Sequence, residues 1–207
     1  MIKSNIVDIT YQQTGSASNT NELGMREMQA KVYVARDKQY LLVKAPPASG
    51  KSRALMFVAL DKLYNQGLSK VVVAVPEKTI GRSFKNTNLK EHGFFEDWKV
   101  AQYFDLCDTE DERNKIGRFK EFFTQKSART MVCTHATLRA AMRESDNSIF
   151  NDCLLAIDEF HHASASVESG LGDLLRDLIA ETSVHIVAMT GSYFRGDGIP
   201  VMRVEDE

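Results

Sequence analysis

Short apolar runs alternate with longer stretches of helical spacing along most of this chain, and that alternation limits its fold more than any other feature. The runs are residues 41–44, 71–75, 99–104, 130–134, 154–158 and 184–190. Several are apolar almost throughout, as strands covered on both faces of a parallel sheet must be. Between them, helical spacing predicts helices over 51–66, 108–126 and 171–180. Leu55, Val58, Ala59, Lys62 and Leu63 share one side of the first, and Leu171, Leu174, Leu175 and Leu178 one side of the last. Strand and helix in alternation predict an α/β fold, a three-layer α/β/α sandwich on a mainly parallel sheet with right-handed crossovers. The 207 residues suit one such domain over 23–200. Residues 1–22 read as a polar N-terminal extension with one short strand, and 201–207 as a polar tail. No internal repeat or low-complexity segment breaks the pattern.

Composition narrows the partners. Lys and Arg number 26 against 28 Asp and Glu, a net charge of −2, so any nucleic-acid contact must come from a local basic patch. Cys107, Cys133 and Cys153 are widely spaced, with no C-x-x-C pair, which fits neither a disulfide framework nor a zinc finger and points to a reducing, cytoplasmic setting. No signal-peptide core and no apolar run of about 18 residues occurs, so neither secretion nor a membrane span is expected.

The run 41–44 leads straight into Ala45-Pro46-Pro47-Ala48-Ser49-Gly50-Lys51-Ser52, and a helical stretch follows. This is the strand–loop–helix setting of a phosphate-binding loop. Backbone N–H groups of Ala48, Ser49 and Gly50, with the positive helix end, cradle phosphate oxygens. Lys51 bridges the outer phosphates, and the Ser52 hydroxyl holds Mg²⁺. Ala45 stands where such loops usually open with Gly; Gly50, beside the lysine, is the stricter position.

A second constellation ends the fifth run, where Leu154-Leu155-Ala156-Ile157 gives way to Asp158-Glu159-Phe160-His161-His162. Two carboxylates after four apolar residues must leave the core. At the C-terminal end of a parallel strand they point into the crevice where ligands of open α/β sheets bind. Asp158 is the expected support for Mg²⁺, and Glu159 the base that orients attacking water. Adjacent histidines do not share a helix face, so zinc is not expected. His161 is a candidate for a hydrogen bond near the γ-phosphate, and His162 reads as structural.

APPASGKS, DEFH and Met189-Thr190-Gly191-Ser192 together resemble the first RecA-like domain of superfamily 2 helicases, the DExH branch in particular, over roughly residues 23–197. Bacterial helicases and restriction-enzyme motor subunits are relatives of this kind. The resemblance implies a P-loop NTPase that couples ATP hydrolysis to movement on DNA or RNA. Met25-Arg26-Glu27-Met28-Gln29-Ala30, with Gln29 22 residues before Lys51 (51 − 29), resembles the glutamine motif. There Gln29 would read the adenine edge and Arg26 would stack on the base or bind phosphate; an amphipathic helix with an exposed Gln is the alternative. Val75-Pro76-Glu77-Lys78-Thr79 resembles a nucleic-acid-gripping motif, making Lys78, Thr79 and Arg82 candidate phosphate contacts. Thr134-His135-Ala136-Thr137-Leu138 resembles the next such segment, with Thr134 and Thr137 as contacts. Plain helix caps are the alternative for both, and the two roles can coexist. Thr190, Gly191 and Ser192 correspond to the motif that couples nucleotide state to nucleic-acid binding, with Gly191 where Ala is more common.

The same resemblance predicts something missing. Such helicases place ATP between two RecA-like domains, and the second supplies an arginine finger. Only 15 residues (207 − 192) follow Ser192, so a second domain is expected elsewhere, in a longer chain of which this is a C-terminally truncated part or in another subunit. By itself the chain is expected to bind ATP, weakly, but hydrolyse it poorly, slower by roughly 10³–10⁵ without that arginine. Two other readings stay open: a P-loop small-molecule kinase, and a non-hydrolysing nucleotide-dependent binding module. Glu159 beside Asp158 favours water as acceptor over the first.

Overall fold

A computed structural model describes residues 5–8, 20–109, 114–160 and 170–191. Among the described residues six strands form one sheet: β1 (Asn5–Asp8), β2 (Tyr40–Lys44), β3 (Lys70–Val75), β4 (Thr130–Thr134), β5 (Cys153–Ile157) and β6 (His185–Thr190). Every pairing is parallel, in the order β1-β2-β6-β5-β3-β4. Stiff β-branched residues favour the pleated backbone, and β3, with valines at 71, 72, 73 and 75, is buried end to end.

Alternate strand residues enter two separate cores, as the two-residue period requires. Val71, Val73 and Val75 pack with Leu41, Val43, Leu154, Ala156, Val187 and Met189 under α1 (Glu27–Val34) and α2 (Lys51–Asn65). Val72 and Ala74 pack with Met131, Cys133, Leu155 and Ile157 on the other face. That face is covered by α4 (Lys115–Thr124), α5 (His135–Arg143) and α6 (Leu171–Glu181), which contribute Phe119 and Phe122, Leu138 and Ala141, and Leu175 and Leu178. The three-layer α/β/α sandwich expected from the alternation is thus present, and its sheet is wholly parallel. The one-turn helix α3 (Lys78–Gly81) follows β3. No helix among the described residues is long and apolar enough to cross a membrane.

Two expected elements differ. Residues 99–104 are no strand: Gln102–Phe104 is a 3₁₀ turn, the Lys99 carbonyl accepts the Thr130 hydroxyl, and an isolated bridge to the sheet follows at Asp105 and Val132. The segment's apolar character has another cause, since it wraps the β4 edge, with Val100 in the α2-side core and Phe104 in the opposite one. The helix expected from residue 108 begins at Lys115. The Asp105 carboxylate accepts the backbone N–H groups of Cys107 (3.1 Å) and Asp108 (3.2 Å), closing a turn where the helix was expected to start. The strand at 5–8 is the outermost member of the sheet, paired with Leu41–Lys44.

Candidate functional site

In this strand order β6 alone stands between β2 and β5, so the β2 loop, the β5 acids and the end of β6 come together at the C-terminal edge of the sheet. Lys44 lies level with Thr190 across β2 and β6, and the Ala45 N–H donates to the Thr190 carbonyl at 3.0 Å.

The loop is shaped by left-handed backbone at Ala48 (φ 58°) and Gly50 (φ 90°). Two features favour glycine at position 50. Its φ suits glycine, and a Cβ there would lie 2.6 Å from the Gln29 Nε2 atom. Lys51 opens α2 but is buried, with its Nζ donating to the Ala45 carbonyl at 3.3 Å. The Ser49 Oγ is buried and has no hydrogen-bond partner among the described residues, an orphaned O–H donor that a phosphate oxygen could accept. Ser52 is half-buried one residue into the helix, and Ala48 is exposed at the loop's crest.

Gln29 is buried, and its amide works inside the chain. Its Oε1 accepts the Arg26 N–H (2.9 Å) at the start of α1, and its Nε2 donates to the Gly50 carbonyl (3.2 Å). One lone pair and one N–H remain for a ligand. The amide therefore ties α1 to the phosphate loop, and Arg26 stands exposed at the helix start.

Asp158 and Glu159 follow β5 with different surroundings. Asp158 is 4% exposed; burial, then the negative charge of Glu159, push its carboxyl up to about 6, against the pull of Lys51. Glu159 adopts φ 49°, a left-handed conformation that costs a non-glycine residue about 1–3 kcal/mol. That turn brings its carboxylate to Lys51, with Oε1 2.9 Å from Nζ, while Oε2 accepts the Gly191 N–H at 3.2 Å. Loop lysine, strand-end glutamate and the β6 terminus thus meet at one carboxylate. A Cβ on Gly191 would sit 3.4 Å from the Lys51 Nζ, an ordinary contact, so glycine is not sterically required there. Thr190 is buried beneath. His161 and Ser192 lie outside the described residues, as does His162.

The other candidates gather around the next two strand ends. Lys78 and Thr79 on α3 and Arg82 just beyond are exposed and, with Lys85, line a hollow of ≈ 150 Å³ that also includes Asp105, Cys107 and Asp108. Lys115 crowds the Lys78 ammonium, which burial and this like charge both push below the usual lysine range. Gly81 allows the close approach of α3 to Cys107, since a Cβ there would lie 2.6 Å from the Cys107 Cβ. Thr134 caps α5: its Oγ1 accepts the Thr137 N–H at 3.2 Å and lies 3.0 Å from the Thr137 Oγ1. Capping, the alternative to nucleic-acid contact at Thr134, is therefore realised, with Thr134 half-buried and Thr137 buried.

Two features escaped the sequence reading. Lys85 and Lys115 extend the basic group beyond the motif residues. His135, inside a motif that singled out its threonine neighbours, is buried with its Nε2 3.0 Å from the Asp158 carbonyl oxygen. That contact spans 23 residues and leaves no local signal.

Oxygen donors suit magnesium. Asp158 is a buried carboxylate whose proton affinity is raised, and a cation beside it would relieve the same electrostatic stress. Among the described residues no group of three or more His, Cys, Asp or Glu could hold a metal.

Comparison with known proteins bears on family and fold. A family model described as DEAD/DEAH box helicase matches residues 26–195. The Bacillus subtilis protein YeeB, named as an ATP-dependent helicase, is 59% identical over 203 residues, covering 98% of this chain and 34% of YeeB. The chain thus spans about a third of that relative's length. The UvsW helicase of bacteriophage T4 superposes with a TM-score of 0.50 at 15% identity, over 85% of this chain and 55% of UvsW. The Sulfolobus solfataricus SWI2/SNF2 ATPase core, solved in complex with double-stranded DNA, superposes with a TM-score of 0.51 at 16% identity, over 81% of this chain and 32% of that one. At such identities the structural likeness establishes the RecA-like fold.

Proposed function

Because this chain belongs to the DEAD/DEAH box helicase family, we propose that it is the first RecA-like motor domain of a nucleic-acid helicase or translocase. It binds ATP and couples hydrolysis to movement on DNA or RNA. The observation that carries this reading is the meeting of three motifs on the Glu159 carboxylate, at Lys51 (2.9 Å) and at the Gly191 N–H (3.2 Å).

Each residue's part follows from its position. The loop N–H groups of Ala48, Ser49 and Gly50 and the Lys51 ammonium hold phosphate oxygens. Ser49 adds a hydroxyl that has no partner among the described residues. Ser52 and Asp158 hold Mg²⁺, which when bound draws charge from the phosphates. Lys51 must turn from Glu159 to phosphate, and Glu159, so released, orients water and takes its proton. Gln29 and Arg26 face the base, with Gln29 offering the amide valence left by its two backbone bonds. His161 is assigned to the γ-phosphate side. Thr190, Gly191 and Ser192 relay nucleotide state, since the Gly191 N–H is held by Glu159 itself. Lys78, Thr79, Arg82, Thr134 and Thr137 contact the nucleic-acid backbone.

A second RecA-like domain, in a longer chain or another subunit, completes the cleft with an arginine. Without it the domain 23–200 binds ATP and turns it over slowly, by roughly 10³–10⁵. Three buried free thiols accord with a cytoplasmic setting.

Product analysis with γ-labelled ATP tests the assignment. Free phosphate released in a magnesium-dependent manner is expected, and Lys51→Ala should abolish nucleotide binding. Transfer of label to a small acceptor would instead establish the kinase reading, and tight ATP binding with no release in the completed protein would establish a binding module.

A further inference from the structure

The peptide unit joining Asp158 to Glu159 is held on both sides. Its N–H donates to the Asp158 Oδ1 at 3.1 Å. Its carbonyl oxygen lies 3.0 Å from the Nε2 of His135. A carbonyl only accepts, so in this contact Nε2 carries the proton and donates. His135 is buried and opens α5 directly after β4, and β3 lies between β4 and β5. The imidazole therefore reaches across the end of β3 to grip the chain where β5 ends.

The orientation of this peptide helps set the Glu159 φ, which is left-handed at 49°. A non-glycine residue keeps that conformation only while its surroundings impose it. If the grip loosens, φ can relax to negative values, and the Glu159 carboxylate then moves off Lys51 and Gly191. On the other side, His135 is fixed by the turn in which Thr134 caps Thr137. Those are the two threonines assigned above to the nucleic-acid backbone. Any shift of that turn on polymer binding moves the imidazole with it.

We propose that His135 is a positioning residue that couples the Thr134–Thr137 turn to the conformation of Glu159, so that nucleic acid engaged at α5 changes the readiness of the catalytic carboxylate. This rests on the motor reading and adds to it a physical link between polymer and chemistry.

The test compares His135→Ala, His135→Asn and His135→Gln in the ATPase-competent protein, this domain together with the partner domain that completes its cleft. Gln places an amide nitrogen near the Nε2 position; Asn stays polar but falls short of Asp158. Rates with and without saturating single-stranded DNA or RNA are measured beside KM for ATP and polymer affinity. The Ala and Asn variants should lose about tenfold in the ratio of stimulated to basal rate, a typical size for coupling between sites, with KM for ATP and polymer affinity within about threefold of wild type. Gln should recover most of the ratio. Should Ala fail to fold, the Asn–Gln pair decides. A wild-type ratio in Ala or Asn, or equal loss in Gln and Asn, would overturn the coupling while leaving the motor reading intact. A wild-type protein that neither polymer stimulates would defeat the motor reading, and the coupling with it.

Discussion

At the residue scale, the two carboxylates after β5 lie in opposite surroundings. Asp158 is buried and held up near 6, whereas Glu159 lies against a lysine. Glu159→Gln should cut turnover by roughly 10²–10⁴ while ATP still binds, because the Lys51 ammonium is then freed from its ion pair. A radiolabel assay beside a nucleotide-binding titration checks both. Asp158→Asn keeps the side-chain oxygen that accepts the Glu159 N–H and removes the charge. Burial favours the neutral acid, so the wild type loses stability as pH rises from the ordinary carboxylate range to about 6. In nucleotide-free thermal or chemical melts the Asn variant should match wild type near pH 4 and exceed it above pH 6, by on the order of 2–3 kcal/mol. It should hydrolyse nothing. The two glycines of the site should also part company. Gly50→Ala meets both a left-handed φ and the Gln29 amide, and should disable ATP binding; Gly191→Ala meets only an ordinary contact and should bind ATP like wild type. The letters of the phosphate loop and of DEFH made these residues legible. The strained turn of Glu159 and the double duty of Gln29 were not, because both depend on atoms brought together by the sheet.

At the element scale, strands were read well wherever apolar residues run without interruption, as in β3, β4 and β5, since only burial on both faces makes such runs. Residues 99–104 misled because a chain that wraps a sheet edge sends apolar side chains into both cores, Val100 into one and Phe104 into the other. The helix after residue 108 was placed too early because the Asp105 turn lies in side-chain hydrogen bonds that periodicity cannot register. For α5 the threonine signal was correct as a cap. Thr134→Ala should cost about 1 kcal/mol through the lost cap, or roughly 2–4 °C in Tm for a domain of this size. A further loss of nucleic-acid affinity beyond what Thr137→Ala produces would show that the hydroxyl also serves the polymer.

At the scale of the whole molecule, strand order decides which candidate residues meet. The 45–52 loop, Asp158 and Glu159 all lie at the C-terminal edge of a parallel sheet. The basic group of Lys78, Arg82 and Lys85 lines its own hollow after β3, one strand beyond the acids. That edge arrangement was foreseeable from strand–helix alternation and the general rule for α/β crevices. The strand order that seats β6 between lysine and glutamate was not, because order is set by long-range pairing. The matched relative is about three times as long as this chain. The most direct measurement is the ATPase rate of the domain joined to its completing partner, with and without single-stranded DNA and RNA, beside Glu159→Gln. Stimulation by one polymer, abolished in the Gln variant while ATP binding persists, is the predicted result. A protein that binds ATP yet responds to neither polymer would contradict the account and leave a nucleotide-sensing scaffold in its place.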